Sequence, residues 1–161
     1  MEFSSPNDYE RGVTVNVGVI EGGTYPYVVA EEATAKVDCR IPTEEDGVYL
    51  KNKFNEITNI SQVKGVERSW KGDFHPPPME KSKETTGLFE FVNEIASGLI
   101  ISIKEGSTGG ASGGNLTSAI GVLTLNGMGP VGAGFYGPEE YVELDLVFER
   151  TKLLAQTLYK I

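Results

Sequence analysis

VTVNVGVIEGGTYPYVVAEEATAKVDCRIPT, residues 13–43, holds two alternating runs separated by a glycine break and closed by a proline. Residues 13–20 alternate β-branched side chains with small or polar ones, the period of a half-buried strand. Glu21-Gly22-Gly23 interrupts that run. Alternation resumes over 28–41, where Ala33, Ala35, Val37 and Cys39 share one face and Thr34, Lys36, Asp38 and Arg40 the other. This spacing predicts an antiparallel neighbour of the first strand, with one wet face.

Pro42 stops the second strand, and Thr43 followed by Glu44, Glu45 and Asp46 supplies a cap and an acidic first turn suited to a helix dipole. A helix over 43–58 follows, with Val48, Leu50, Phe54, Ile57 and Ile60 as its expected apolar stripe. Residues 63–70, VKGVERSW, read as a further strand, and HPPPMEKSKET as an extended linker. The first half is therefore expected to run strand, strand, helix, strand.

In the second half LFEFVNEIASGLI, 88–100, has helical spacing, and GSTGGASGGN, 106–115, is a flexible loop whose Asn115 is placed to cap a short helix through Ala119. GVLTLN, 121–126, reads as a short strand, and Leu144 to Tyr159 as an amphipathic helix carrying Leu146, Arg150, Leu153 and Leu154. One or two strands do not make an independently stable sheet, so this half needs a partner for its open edges.

The totals narrow the function classes. The chain has 161 residues, enough for one domain or two small pieces, with 23 acidic against 14 basic residues and a net charge of −9. Without a Lys/Arg cluster to neutralise phosphates, this argues against nucleic acid and anionic membrane surfaces as partners. No apolar run approaches the ~18 residues of a spanning helix, and nothing at the N-terminus reads as a leader. Cys39 is the only cysteine, which excludes an intrachain disulfide and fits a cytoplasmic setting. His75 is the only histidine, which excludes a two-histidine zinc site within the chain.

Residues 16–43, together with PPME at 77–80, TGGASGGN at 108–115 and GMGPVGAGFYGPEEYVELD at 127–145, resemble the zinc-dependent amidohydrolases of the glutamate carboxypeptidase, acetylornithine deacetylase and succinyl-diaminopimelate desuccinylase family. Their pattern is roughly N-V-G-x-I-x-G-G-T, N-V-V-P-D and D-x-R-x-P-T, and the four matches occur in family order. The resemblance implies an α+β or α/β chain. It would hold an incomplete ferredoxin-like lid, or dimerisation, domain (strand, strand, helix, strand) and then an α/β fragment of the catalytic domain. The expected organisation is an N-terminal segment at 1–12, a partial lid at 13–75 and a catalytic-type portion at 76–161. Members use two zinc ions to hydrolyse amide bonds of N-acyl amino acids or small peptides. Most ligands and the general-base glutamate belong to the family's N-terminal segment, which has no counterpart here.

The same resemblance implies that several functional positions are altered. Tyr136 stands where the family places its last metal-ligating histidine, and a phenol with a pKa near ~10 is a poor zinc ligand at neutral pH. Tyr27 stands at the lid asparagine, Pro76 at the arginine before P-P-M-E, and Gly113 at the aspartate of S-D-G-N. Arg40 keeps the arginine of D-x-R-x-P, which in the family helps bind a substrate carboxylate; an exposed strand arginine paired with Asp38 or a glutamate is the alternative reading. By the same resemblance Gly109, Gly110 and Asn115 are candidates for substrate binding with Arg40, and the backbone N–H groups of Gly109 and Gly110 are candidates for holding an anion. No catalytic residue, metal ligand or cofactor is assigned to the chain itself. Loss of a central lid strand would leave backbone groups unpaired, so self-association, or a missing N-terminal half, is the expected partner.

Three readings follow. The first is a non-catalytic C-terminal portion of a metallopeptidase-like amidohydrolase, with an oligomerisation or scaffolding role. The second is half of a split enzyme completed by another chain. The third is an acidic module that binds small anions through the 106–115 loop.

Overall fold

The computed structural model describes residues 7–61 and 63–161. Among them the chain is mixed α/β, with four helices and two small antiparallel sheets. It divides into two compact units. One takes in the chain up to Glu80 together with Gly109–Asn115; the other takes in Lys81–Thr108 and Leu116–Ile161.

In the first unit, β1 (Thr14–Gly22) pairs antiparallel with β2 (Ala33–Arg40), from Thr14 opposite Arg40 to Gly22 opposite Ala33. The two alternating runs of the sequence thus form a hairpin. Register shifts between Val17 and Val19. One extra residue at Gly18 swaps which face each later β1 side chain occupies. Val13 and Val15 are buried beneath α1 (Glu44–Asn59), whereas Ile20, beyond the bulge, is 61% exposed.

Helix α1 starts where the cap chemistry predicts. The Thr43 hydroxyl accepts from the Asp46 N–H at 3.1 Å and donates to Asp46 Oδ2 at 2.7 Å. Asp46 is also paired with Arg11, which anchors the segment before β1 to the helix start. The buried stripe is Gly47, Leu50 and Phe54. This corrects the expected stripe: Val48 and Ile60 are exposed. Val48 lies 100° round the helix from Gly47, away from the sheet. A Cβ on Gly47 would lie 3.0 Å from Ile41 Cδ1 and 3.2 Å from Phe74, so the missing side chain lets both approach the helix.

The strand expected at 63–70 is absent, and the observed order in this unit is strand, strand, helix, then irregular chain. A Val63–Val66 turn with Gly65 at φ +82° breaks the run, and no neighbouring edge pairs with it. The segment is instead held by side chains. Trp70 packs on Phe54 with ring centroids 5.4 Å apart, and its Nε1–H donates to Asn55 Oδ1 at 2.9 Å.

In the second unit, α2 runs over Lys83–Gly98, starting earlier than the 88–100 expected and absorbing part of the supposed linker. The reason is a capping box. The Ser82 hydroxyl accepts from the Thr85 N–H at 3.1 Å, and the Ser82 N–H donates to Thr85 Oγ1 at 2.7 Å. Helix α4 (Leu144–Lys160) packs against α2, burying Leu153 with Val92, Ile95, Ala96 and Ile101. Helix α3 (Gly113–Ala119), which belongs to the first unit as far as Asn115 and to the second from Leu116, contains Asn115 rather than being capped by it. Residues 121–126 form no strand; the Thr117 and Thr124 hydroxyls, 2.9 Å apart, brace this stretch. The second sheet is a short hairpin the sequence did not reveal, β3 (Gly132–Ala133) with β4 (Tyr141–Val142). Among the described residues, no helix is long and apolar enough to cross a membrane.

Candidate functional site

Arg40, at the end of β2, is exposed on one side and bonded on the other. Its Nε donates to Asp38 Oδ2 at 3.3 Å and its Nη1 to the carbonyl of Gly109 at 3.2 Å. The fold therefore brings together two candidates 69 positions apart, Arg40 and Gly109. It is the carbonyl of Gly109 that meets the guanidinium, and a Cβ there would lie 3.0 Å from Arg40 Cδ. Glycine at this position lets the loop lie on the arginine stem.

Asn115 closes the other end of the loop. It is 8% exposed; its Oδ1 accepts from the Ser112 N–H at 2.9 Å and its Nδ2 donates to the Pro77 carbonyl at 3.0 Å. Gly110 and Gly113 lie between these two anchors, Gly113 opening α3. The loop from Gly109 to Asn115 is thus tied to β2 at one end and to the proline segment at the other. Pro76 begins that segment after a cis His75–Pro76 bond and is half-buried, while His75 is exposed.

Tyr27 lies elsewhere in the same unit. It is 83% exposed, at the far end of the hairpin, stacked on Tyr25 with centroids 5.6 Å apart. Seven strand steps from Ala33 to Arg40 separate that end from Arg40 by about 23 Å at ~3.3 Å per residue. One small ligand cannot touch both within a chain. An open cleft of about 610 Å³ at this end of the hairpin is lined by Val28, Val29 and the carboxylate-bearing Glu21, Glu31 and Glu32, a surface that favours cationic over anionic groups.

Tyr136 belongs to the second unit, on the turn between β3 and β4. It is fully exposed at φ +63°, a left-handed conformation that side chains rarely adopt, and its N–H donates to Glu140 Oε2 at 3.2 Å. Gly134, at φ +75°, would drive a Cβ to 2.6 Å from the Glu139 carbonyl, so the turn retains its glycine for shape.

The described residues do not make a zinc donor set. Among those described, no three His, Cys, Asp or Glu side chains lie together in a metal-holding arrangement. The Cys39 thiol, half-buried, is pushed up to about 11, first by burial and second by the nearby Asp38 carboxylate, so it is a protonated thiol at neutral pH. Sequence reasoning placed Asp46 in the acidic first turn but missed its burial and its bond to the Thr43 hydroxyl, whose signal is the T-x-x-D spacing, and it missed the Trp70–Asn55 bond, for which the sequence carries no local signal.

No curated protein matches the chain. Residues 4–66, a span that takes in β1, β2 and α1, match the family model described as a peptidase dimerisation domain, of the M20 peptidases, and it is this kind of domain that the N-terminal part of the chain is similar to.

Proposed function

We propose that the chain is a C-terminal portion of an M20-type, zinc-dependent amidohydrolase that associates with itself through residues 4–66 and does no hydrolysis alone. In this reading residues 13–75 are a partial ferredoxin-like lid, 76–161 belong to a catalytic-type domain, and the chain works in the cytoplasm. The observation that carries it is the match of 4–66 to a peptidase dimerisation domain, on a segment whose sheet, among the described residues, has two strands and so two edges without a strand neighbour. Exposed Val19 and Ile20 on β1 add apolar surface beside one of those edges. Inactivity is supported by Tyr136 at the ligand position and by a single histidine.

Light scattering after size exclusion of the whole chain at micromolar concentration is expected to give an assembly larger than a monomer, reduced in mass by Ile20→Asp. A compact, stable monomer would overturn the reading. Zinc titration by calorimetry is expected to show no tight stoichiometric site; tight binding, or chelator-sensitive hydrolysis of N-acyl amino acids, would overturn the inactive assignment.

A second reading, half of a split peptidase or deacylase, is favoured by one contact, Arg40 on Gly109, which keeps the family's carboxylate-binding arginine beside the glycine loop. It requires that supplying a chain with the remaining metal ligands restores hydrolysis. Failure of that restoration leaves the first reading standing.

A further inference from the structure

Helix α4 has two apolar faces, and α2 covers one. Leu153 and Thr157 face α2 and are buried. On the opposite side Leu144, Phe148, Thr151, Ala155 and Leu158 follow a 4-3-4-3 spacing, the seam of a coiled coil. Leu144 is 70%, Phe148 76% and Leu158 66% exposed. Tyr159 and Ile161 extend the patch at the C-terminal end, and Tyr141 and Val142 of β4 extend it at the N-terminal end. The exposed apolar side chains offer roughly 800 Å² per copy, counting ~150–250 Å² for each full aromatic, which is the contribution of one partner to a standard interface.

The charges on this helix are segregated. Glu143 at its N-cap, Asp145 and Glu149 all precede position 150; Arg150, Lys152 and Lys160 all follow position 149. A parallel neighbour of the same sequence would set acid beside acid. An antiparallel one sets the acidic half of each copy beside the basic half of the other, and also opposes the helix dipoles.

We propose that the outer face of α4 is a self-association surface, distinct from the one in residues 4–66, on which a second copy of this chain packs its own α4 antiparallel about a two-fold axis between Glu149 and Arg150. This goes beyond the reading above and does not depend on it. Sizes and charges select the register. Phe148 of one copy lies over Thr151 of the other, Leu144 over Ala155, and Val147 beside Leu154, so each large side chain meets a smaller or equal one. Asp145 sits beside Lys152 of the other copy, twice by symmetry, and Leu158 reaches the Tyr141 of the opposite β4. The interface is isologous and closes on itself.

The test uses the full chain. Phe148→Glu is expected to halve the assembly mass seen by light scattering at fixed concentration, with helix content by circular dichroism unchanged because the position is exposed. Asp145→Lys is expected to weaken the assembly at least tenfold in dissociation constant, and Asp145→Lys with Lys152→Asp to restore it. In a Cys39→Ser background, mixing the Phe148→Cys and Thr151→Cys chains under mild oxidation is expected to give the mixed disulfide several-fold above either self-pair. An unchanged mass in Phe148→Glu, no rescue by the charge exchange, or no preference for the mixed disulfide would each overturn the proposal. Ile20→Asp separates the two surfaces: a mass that responds to Phe148→Glu but not to Ile20→Asp supports α4 while removing the role of β1.

Discussion

Asn115 reaches back 38 positions to donate to the carbonyl of Pro77 at 3.0 Å, while the same amide accepts from the Ser112 N–H at 2.9 Å. One side chain therefore stitches the glycine loop to the proline segment. Asn115→Leu is expected to cost about 1–3 kcal/mol, because the nearly buried site would be left with a donor and an acceptor unsatisfied. Asn115→Asp keeps the acceptor but turns a carboxylate oxygen towards the Pro77 carbonyl at a nearly buried site, so it should cost at least as much as Asn115→Leu. Urea unfolding at neutral pH measures both; an Asn115→Leu chain as stable as the parent would show that the loop is not held by this amide.

Thr43, Asp46 and Arg11 form one network at the start of α1. Thr43→Ala is expected to cost about 1 kcal/mol as a lost cap. Asp46→Ala should cost about 1–3 kcal/mol, since it takes the buried acceptor from both partners. Because the two share a bond, the double variant should cost less than the sum by about 0.5 kcal/mol or more. A thermodynamic cycle from urea titrations decides, and strict additivity would mean the network acts as independent contacts.

Tyr136 holds a left-handed conformation at a fully exposed position. Tyr136→Gly is expected to be neutral or to stabilise by up to about 1 kcal/mol, the relief of strain offset by the added freedom of the unfolded chain. Tyr136→His supplies the family's ligand type without neighbours to complete a donor set. Calorimetry should therefore detect no zinc affinity above that of the parent.

For Cys39, burial leads and Asp38 assists in raising the thiol from 9.0 to about 11. Alkylation at pH 8 should be about 100-fold slower than for an exposed thiol, rising with pH until roughly pH 11. The sign for stability follows from the same shift. A raised pKa stabilises the folded chain fully below pH 9.0, and that contribution is lost as pH rises towards 11. Cys39→Ser should remove this alkaline loss; an alkylation rate at pH 8 equal to that of a free thiol would contradict the burial.

Legibility in the sequence followed the range of the interaction. The hairpin of 13–40, the Thr43 cap and the C-terminal helix were visible because alternation, caps and a 3.6-residue period are written within a few neighbours. The strand expected at 63–70 failed because β-branched residues describe a preference, while a strand also needs a neighbour, and this segment found Phe54 and Asn55 instead. Helix α2 begins ahead of its apolar spacing because Ser82 and Thr85 form a capping box, a signal that lies directly after the proline run. Of the candidate site, the nearness of Arg40 to Gly109 and of Asn115 to Pro77 was invisible, since both join distant parts of the chain. The opposite placement of Tyr27 follows from the hairpin itself, so it was latent in the alternation.

The bulge at Gly18 gives the hairpin a graded lifetime. On the near side of it, Val13 and Val15 lie under Leu50 and Phe54; on the far side, Ile20 and its neighbours are exposed, with nothing among the described residues roofing them. Ladder bonds near Thr14–Arg40 can break only when the helix lifts, whereas those near Gly22–Ala33 can open from the tip inward without disturbing it. Amide hydrogens along β1 should therefore exchange with deuterium on two clocks, slow before the bulge and fast after it, with Gly18 as the boundary at which a local flutter becomes an unfolding event.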